Sequence, residues 1–78
     1  DMSDLICELV EETDPFLREK PEVFNFENPQ VDPEKLSAQL IENMIHHEGL
    51  GLSANQIGIP VSVFAMRMDD HALVVFNP

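Results

Sequence analysis

The sequence predicts an α+β fold in which one amphipathic helix packs on an antiparallel β-hairpin or small sheet. Three observations predict it. Apolar residues recur at helical spacing behind Asp32-Pro33. Two runs of β-favouring residues, 61–66 and 72–76, flank a polar turn. A glycine-rich stretch, 47–58, joins helix to hairpin. The 78 residues make one domain at most, numbered 1–78 and read as a single incomplete domain. A chain this size hides only about 60–65% of its unfolded surface, so its core is small.

Residues 1–13 are acidic, with an apolar cluster of Leu5, Ile6, Leu9 and Val10. The spacing suits a short helix capped by Ser3, and equally an extended segment lying against a sheet. Cys7 in this cluster reads as a small half-buried apolar residue, because no His, Cys or basic neighbour is placed to activate it. Residues 14–33 hold four of the six prolines and read as irregular chain. Leu17, Val23, Phe24 and Phe26 are expected to pin this segment onto the core. Arg18 reads as a surface ion-pair partner.

Asp32 is a good N-cap and Pro33 a good first helical residue, since that position has no use for an amide hydrogen. Leu36, Leu40, Ile41, Met44 and Ile45 then form two adjoining apolar rows. The helix is expected to end near His47 or Glu48, with Gly49 taking the left-handed stop. His46 and His47 point about 100° apart on a helix, which suits the helix dipole better than one shared metal ion. Beyond the loop, Ile57-Gly58-Ile59-Pro60 leads into the first strand. Met68-Asp69-Asp70-His71 forms the turn, where the two aspartates read as turn formers rather than metal ligands. A helix and a hairpin leave sheet edges that ask for further strands.

The loop carries the chemistry. Gly49 and Gly51 have no Cβ, so another chain can come close to the backbone there. Ser53 and Ala54 keep the next turn thin, and Gln56 brings one amide donor and one acceptor. Such a loop suits an extended ligand lying on main chain while an amide polarises one of its atoms. From residue chemistry alone, a plain helix-to-strand connection with Gln56 capping backbone groups is an equal reading.

Gly51-Leu52-Ser53-Ala54-Asn55-Gln56, preceded by Gly49-Leu50, resembles the Gly-x-Gly-Leu-Ala-Ala-x-Gln motif of the peptide deformylases. Asp14-Pro15-Phe16-Leu17-Arg18 resembles that family's Asp-Pro-x-Leu-Arg, and Asn77-Pro78 its Asn-Pro. The likeness spans residues 14–78, with Ser53 where alanine is usual. It implies the N-terminal half of the deformylase fold. It implies removal of the formyl group from the N-terminal methionine of nascent peptides by a metal-bound water, with a glutamate shuttling the proton. Gln56 then matches the glutamine that stabilises the oxyanion. Gly49, Leu50 and Gly51 match the segment that pairs with the peptide backbone, and Leu50 helps to wall the methionine pocket.

The family's metal, Fe2+ or else Zn2+, Ni2+ or Co2+, is held through Glu-Gly-Cys-Leu-Ser and His-Glu-x-x-His motifs. Neither occurs in this sequence, and His47-Glu48-Gly49-Leu50-Gly51 has glycine where the second histidine would stand. The sequence therefore names no metal ligand.

Four Lys and Arg against fifteen Asp and Glu give a net charge of -11. That argues against nucleic acid and anionic membranes as partners. The single cysteine, with no apolar run long enough to span a bilayer, points to a cytoplasmic or organellar location. Three readings follow. The chain is the N-terminal portion of a deformylase, inactive alone, its partner an N-formylmethionyl peptide. Alternatively it binds such peptides without hydrolysing them. Or it is an acidic interaction module that completes its sheet with a missing C-terminal portion, a second copy or a partner strand.

Overall fold

In the computed structural model, which describes residues 5–78, helix α1 covers Pro33–His46. Three strands follow, β1 (Gly51–Ser53), β2 (Val63–Arg67) and β3 (Ala72–Phe76). They form one antiparallel sheet in the order β1-β2-β3. The α+β expectation holds, and the sheet gains a strand that the sequence hid inside the loop. Gly51, Leu52 and Ser53 pair with Met66, Ala65 and Phe64.

Helix α1 begins as its cap residues dictate. The Asp32 carboxylate accepts the Glu34 amide hydrogen at 3.0 Å, with Pro33 in the first turn. Leu36, Leu40 and Met44 are fully buried against Leu52, Val63 and Ala65 on one face of the sheet. Ile45, at the margin of the stripe, stays exposed. The helix ends in a Schellman motif: Gly49 N–H donates to the Met44 carbonyl at 2.9 Å and Glu48 N–H to the Ile45 carbonyl at 3.1 Å. The left-handed residue is Glu48, with φ 58°, and not Gly49 as expected. The stop falls one residue early because Gly49 has another duty: a Cβ there would lie 3.1 Å from the Gly51 carbonyl oxygen.

Residues 6–11 form neither helix nor strand, and the expected Ser3 cap lies outside the described residues. Asn43, fully buried, holds this segment. It accepts from Cys7 N–H at 2.8 Å and donates to the Leu5 and Gln39 carbonyls at 2.8 and 2.7 Å. His47 Nε2 bonds the Cys7 carbonyl at 2.8 Å. Further on, Asp14 caps a short 3-10 turn, Pro15–Arg18.

Of the residues expected to pin 14–33, only Phe24 is buried; Val23 and Phe26 are mostly exposed. The missing grip comes from Asn77, which accepts from Phe24 N–H at 2.6 Å and donates to the Phe24 carbonyl at 3.0 Å. The Phe24, Phe26 and Phe76 rings cluster around this clasp at 4.9–5.3 Å. No helix among the described residues is long and apolar enough to cross a membrane.

Candidate functional site

The site is the open edge of β1 together with the turn that follows it. Gly49 lets the chain pass close under itself, and the Leu50 carbonyl accepts the Arg67 N–H at 2.9 Å. Along an antiparallel strand, inward and outward backbone groups alternate. With Leu50 turned toward β2, the N–H and C=O of Gly51 face away from it, along the edge where the described residues place no strand. Leu52 then buries its side chain against α1.

Ser53 repeats the outward phase of Gly51, and its N–H meets the Gln56 Oε1 at 2.9 Å. The chain has turned by then into a 3-10 segment, Ala54–Ile57, with Gly58 left-handed at φ 84° to end it. Gln56 thus folds back so that its amide closes the end of the open edge. Its backbone carbonyl accepts from Val10 N–H at 2.8 Å, anchoring the turn from the other side. With Oε1 committed to Ser53, Nε2 is left as the donor, and the described hydrogen bonds do not engage it.

Gly51 lies on the β1 edge, with Gly49 just before the strand and Gln56 in the 3-10 turn that follows it. Leu50 projects into solvent at 80% exposure. The Ser53 N–H to Gln56 bond is the backbone capping that the residue chemistry allowed for Gln56, and its signal is Ser-x-x-Gln, the spacing of a capping box. A groove of about 470 Å³ lies beside Gln56, lined by Leu9, Val10, Leu17 and the acidic pair Glu11 and Glu12. A hollow of about 500 Å³ lies between Ile41, Ile45 and the tip of the β2–β3 turn, and Gln56 takes no part in it.

The described residues do not fit a metal ion. Among the described residues no three His, Cys, Asp or Glu side chains converge. The His46 and His47 rings stand at 90° to one another, and His47 Nε2 is spent on the Cys7 carbonyl. Asp70 bonds its neighbour His71 at an exposed turn.

The family model described as polypeptide deformylase matches residues 6–78. The chain belongs to the peptide deformylase family. A peptide deformylase from Thermotoga petrophila is 36% identical over 66 residues, 83% of this chain and 38% of that relative. One from Bartonella henselae is 37% identical over 70 residues, 83% of this chain and 39% of the relative. The crystal structure of peptide deformylase from Thermotoga maritima superposes with a TM-score of 0.76 at 28% identity, covering 92% of this chain and 48% of that one. The chain thus spans less than half the length of these curated relatives. In this deformylase-family chain, the motif residues Gly49 to Gln56 make up β1, its open edge and the 3-10 turn.

Proposed function

We propose that this chain is the substrate-cradling portion of a peptide deformylase, a metal-dependent hydrolase that removes the formyl group from N-terminal formyl-methionine. The observation that carries the reading is the Gln56 amide, held by Ser53 N–H at the end of the open β1 edge. A peptide laid along that edge as a further strand pairs with the backbone of Gly51, and its formyl end arrives at Gln56. Nε2 then donates to the formyl oxygen as negative charge builds there. A positioned donor of this kind contributes on the order of 3 kcal/mol in a transition state. Gly49 and Gly51 allow the approach, and Leu50 is free to fold over an apolar first side chain.

The metal-holding groups lie outside this set of residues, so the chain alone binds but does not turn over. Localisation in the cytoplasm or an organelle goes with this reading. The test is a titration of formyl-Met-Ala-Ser by calorimetry against wild type, Gln56→Glu and Leu50→Asp. Glutamate keeps the Ser53 bond and removes the donor, so affinity is expected to fall about ten-fold, worth about 1.4 kcal/mol. Equal affinities for all three proteins would remove the β1 edge as the site. Hydrolysis of the peptide by the 78 residues with added divalent metal would overturn the inactivity.

A further inference from the structure

Gln56 carries a backbone N–H and C=O and a side-chain Oε1 and Nε2, and three of these groups face a partner. Its carbonyl accepts from Val10 N–H at 2.8 Å, and its Oε1 accepts from Ser53 N–H at 2.9 Å. Its own N–H faces the Ser53 side chain, which completes a capping box across the start of the 3-10 turn. The Oε1 half of that box is a close hydrogen bond, and the hydroxyl half is a looser facing contact. Nε2 alone is left over, and it is the donor that the proposed chemistry needs. Two of the three ties come from one residue.

Ser53 is also where this sequence departs from the deformylase motif, in which alanine is usual. Alanine would keep the N–H and its bond to Oε1. It would set nothing opposite the Gln56 N–H. That loss matters because the turn is only four residues long, Ala54–Ile57. A 3-10 segment has poorer hydrogen-bond geometry than an α-helix, and the first amides of any helix lack partners within it. The base from which Ser53 acts is firm. Its backbone is extended at φ -93° and ψ 151°, and it is paired with Phe64 in the sheet. Leu52 before it and Ala54 after it are both buried.

We propose that Ser53 is a positioning residue whose hydroxyl holds the Gln56 backbone, so that Nε2 is presented in one orientation at the end of the β1 edge. A donor fixed before its ligand arrives needs no reorganisation when charge develops on that ligand. The inference deepens the proposed role of Gln56 and rests on that reading for its effect on binding. The fixed orientation is a property of the chain alone and is measured without peptide.

The test follows 15N relaxation of the side-chain amides in wild type, Ser53→Ala and Ser53→Thr, beside a calorimetric titration of formyl-Met-Ala-Ser. The Asn43 amide is the internal control, being fully buried and bonded to the Leu5 and Gln39 carbonyls. In Ser53→Ala the Gln56 Nε2 order parameter is expected to fall below about 0.6, the flexible range. Asn43 Nδ2 is expected to stay rigid, and peptide affinity to fall about three- to five-fold. Ser53→Thr keeps the hydroxyl and is expected to restore both values. An unchanged Gln56 order parameter in Ser53→Ala overturns the proposal. Equal loosening of Gln56 and Asn43 also overturns it, because the hydroxyl would then serve only general stability. So does a Ser53→Thr protein that melts like wild type yet behaves like Ser53→Ala. Nε2 set free in Ser53→Ala with peptide affinity unchanged leaves the positioning standing and defeats the substrate role of Gln56.

Discussion

The two faces of the sheet are nearly alike in composition and opposite in what they do for this chain. The inner face, Leu52, Val63, Ala65, Val74 and Phe76, is closed by α1 and by Phe24. The outer face, Phe64, Met66, Leu73 and Val75, takes no part in the core around α1; Phe64 and Val75 are half-buried, and Met66 and Leu73 are exposed. Hydrophobicity therefore does not locate the core of this molecule; coverage does. The inner face holds the chain together, and the outer face with the adjoining β1 edge stays outside that core.

If that division is right, substitutions on the inner side should be costly and those on the outer side nearly free. The largest effect is expected for Leu40→Ala. Leu40 is fully buried at the centre of the helix–sheet contact, and truncating such a leucine costs about 2–5 kcal/mol. Small domains have total stabilities of roughly 5–15 kcal/mol, so the variant should be largely unfolded in a thermal melt near 37 °C. A cooperative melt within a few degrees of wild type would place the core elsewhere.

Asn43→Ala should come next. It strands the Cys7 N–H and leaves the Leu5 carbonyl only the weak Cys7 thiol donor at 3.6 Å. Leaving buried polar groups unpaired costs about 1–3 kcal/mol each at most. The expected loss is about 2–3 kcal/mol, and exchange of the Cys7 amide hydrogen should accelerate far more than that of β2. Uniform acceleration would mean that the N-terminal segment is part of the same cooperative unit as the inner face.

These two residues also show what the sequence could and could not reveal. Leu40 was legible, because helical periodicity and the Asp32-Pro33 start depend only on neighbours in the chain. The pair of hairpin strands was legible for the same reason. Asn43 was not, since it sits on the apolar stripe as a polar residue whose partners are 36 and 38 positions away. The Asn77 clasp on Phe24, 53 positions distant, was hidden likewise. Strand β1 escaped notice because three residues, one of them glycine, carry no period of their own. It is a strand only because β2 pairs with it. In the site, the glycines and Gln56 were legible as a motif. The Ser53 N–H bond that orients the amide needed the backbone path.

Gly49→Ala probes the junction between the two regions. The added methyl meets the Gly51 carbonyl oxygen at 3.1 Å, and that oxygen belongs to backbone, so β1 itself must shift. A stability loss of about 1 kcal/mol is expected, at the low end of overpacking costs. The larger signature should be faster exchange of the Arg67 N–H, which is bonded to the Leu50 carbonyl. An unchanged Arg67 rate would mean that the loop absorbs the methyl without moving the edge.

The smallest expected effect is also the sharpest for the comparison. Leu73→Thr exchanges an apolar outer-face residue for one of good strand propensity, beside Met66 and away from α1. If the outer face contributes nothing to the chain's own stability, the melt should move by no more than an exposed substitution allows, within about 0.5 kcal/mol. Solubility should rise, since an exposed apolar patch has been broken. A loss near 2 kcal/mol would show that the cross-strand pair with Met66 is holding the hairpin together. The outer face would then be a second core, merely thinner than the first. Leu40 and Leu73 thus form one experiment: the ratio of their costs measures how far an apolar surface has been covered by its own chain.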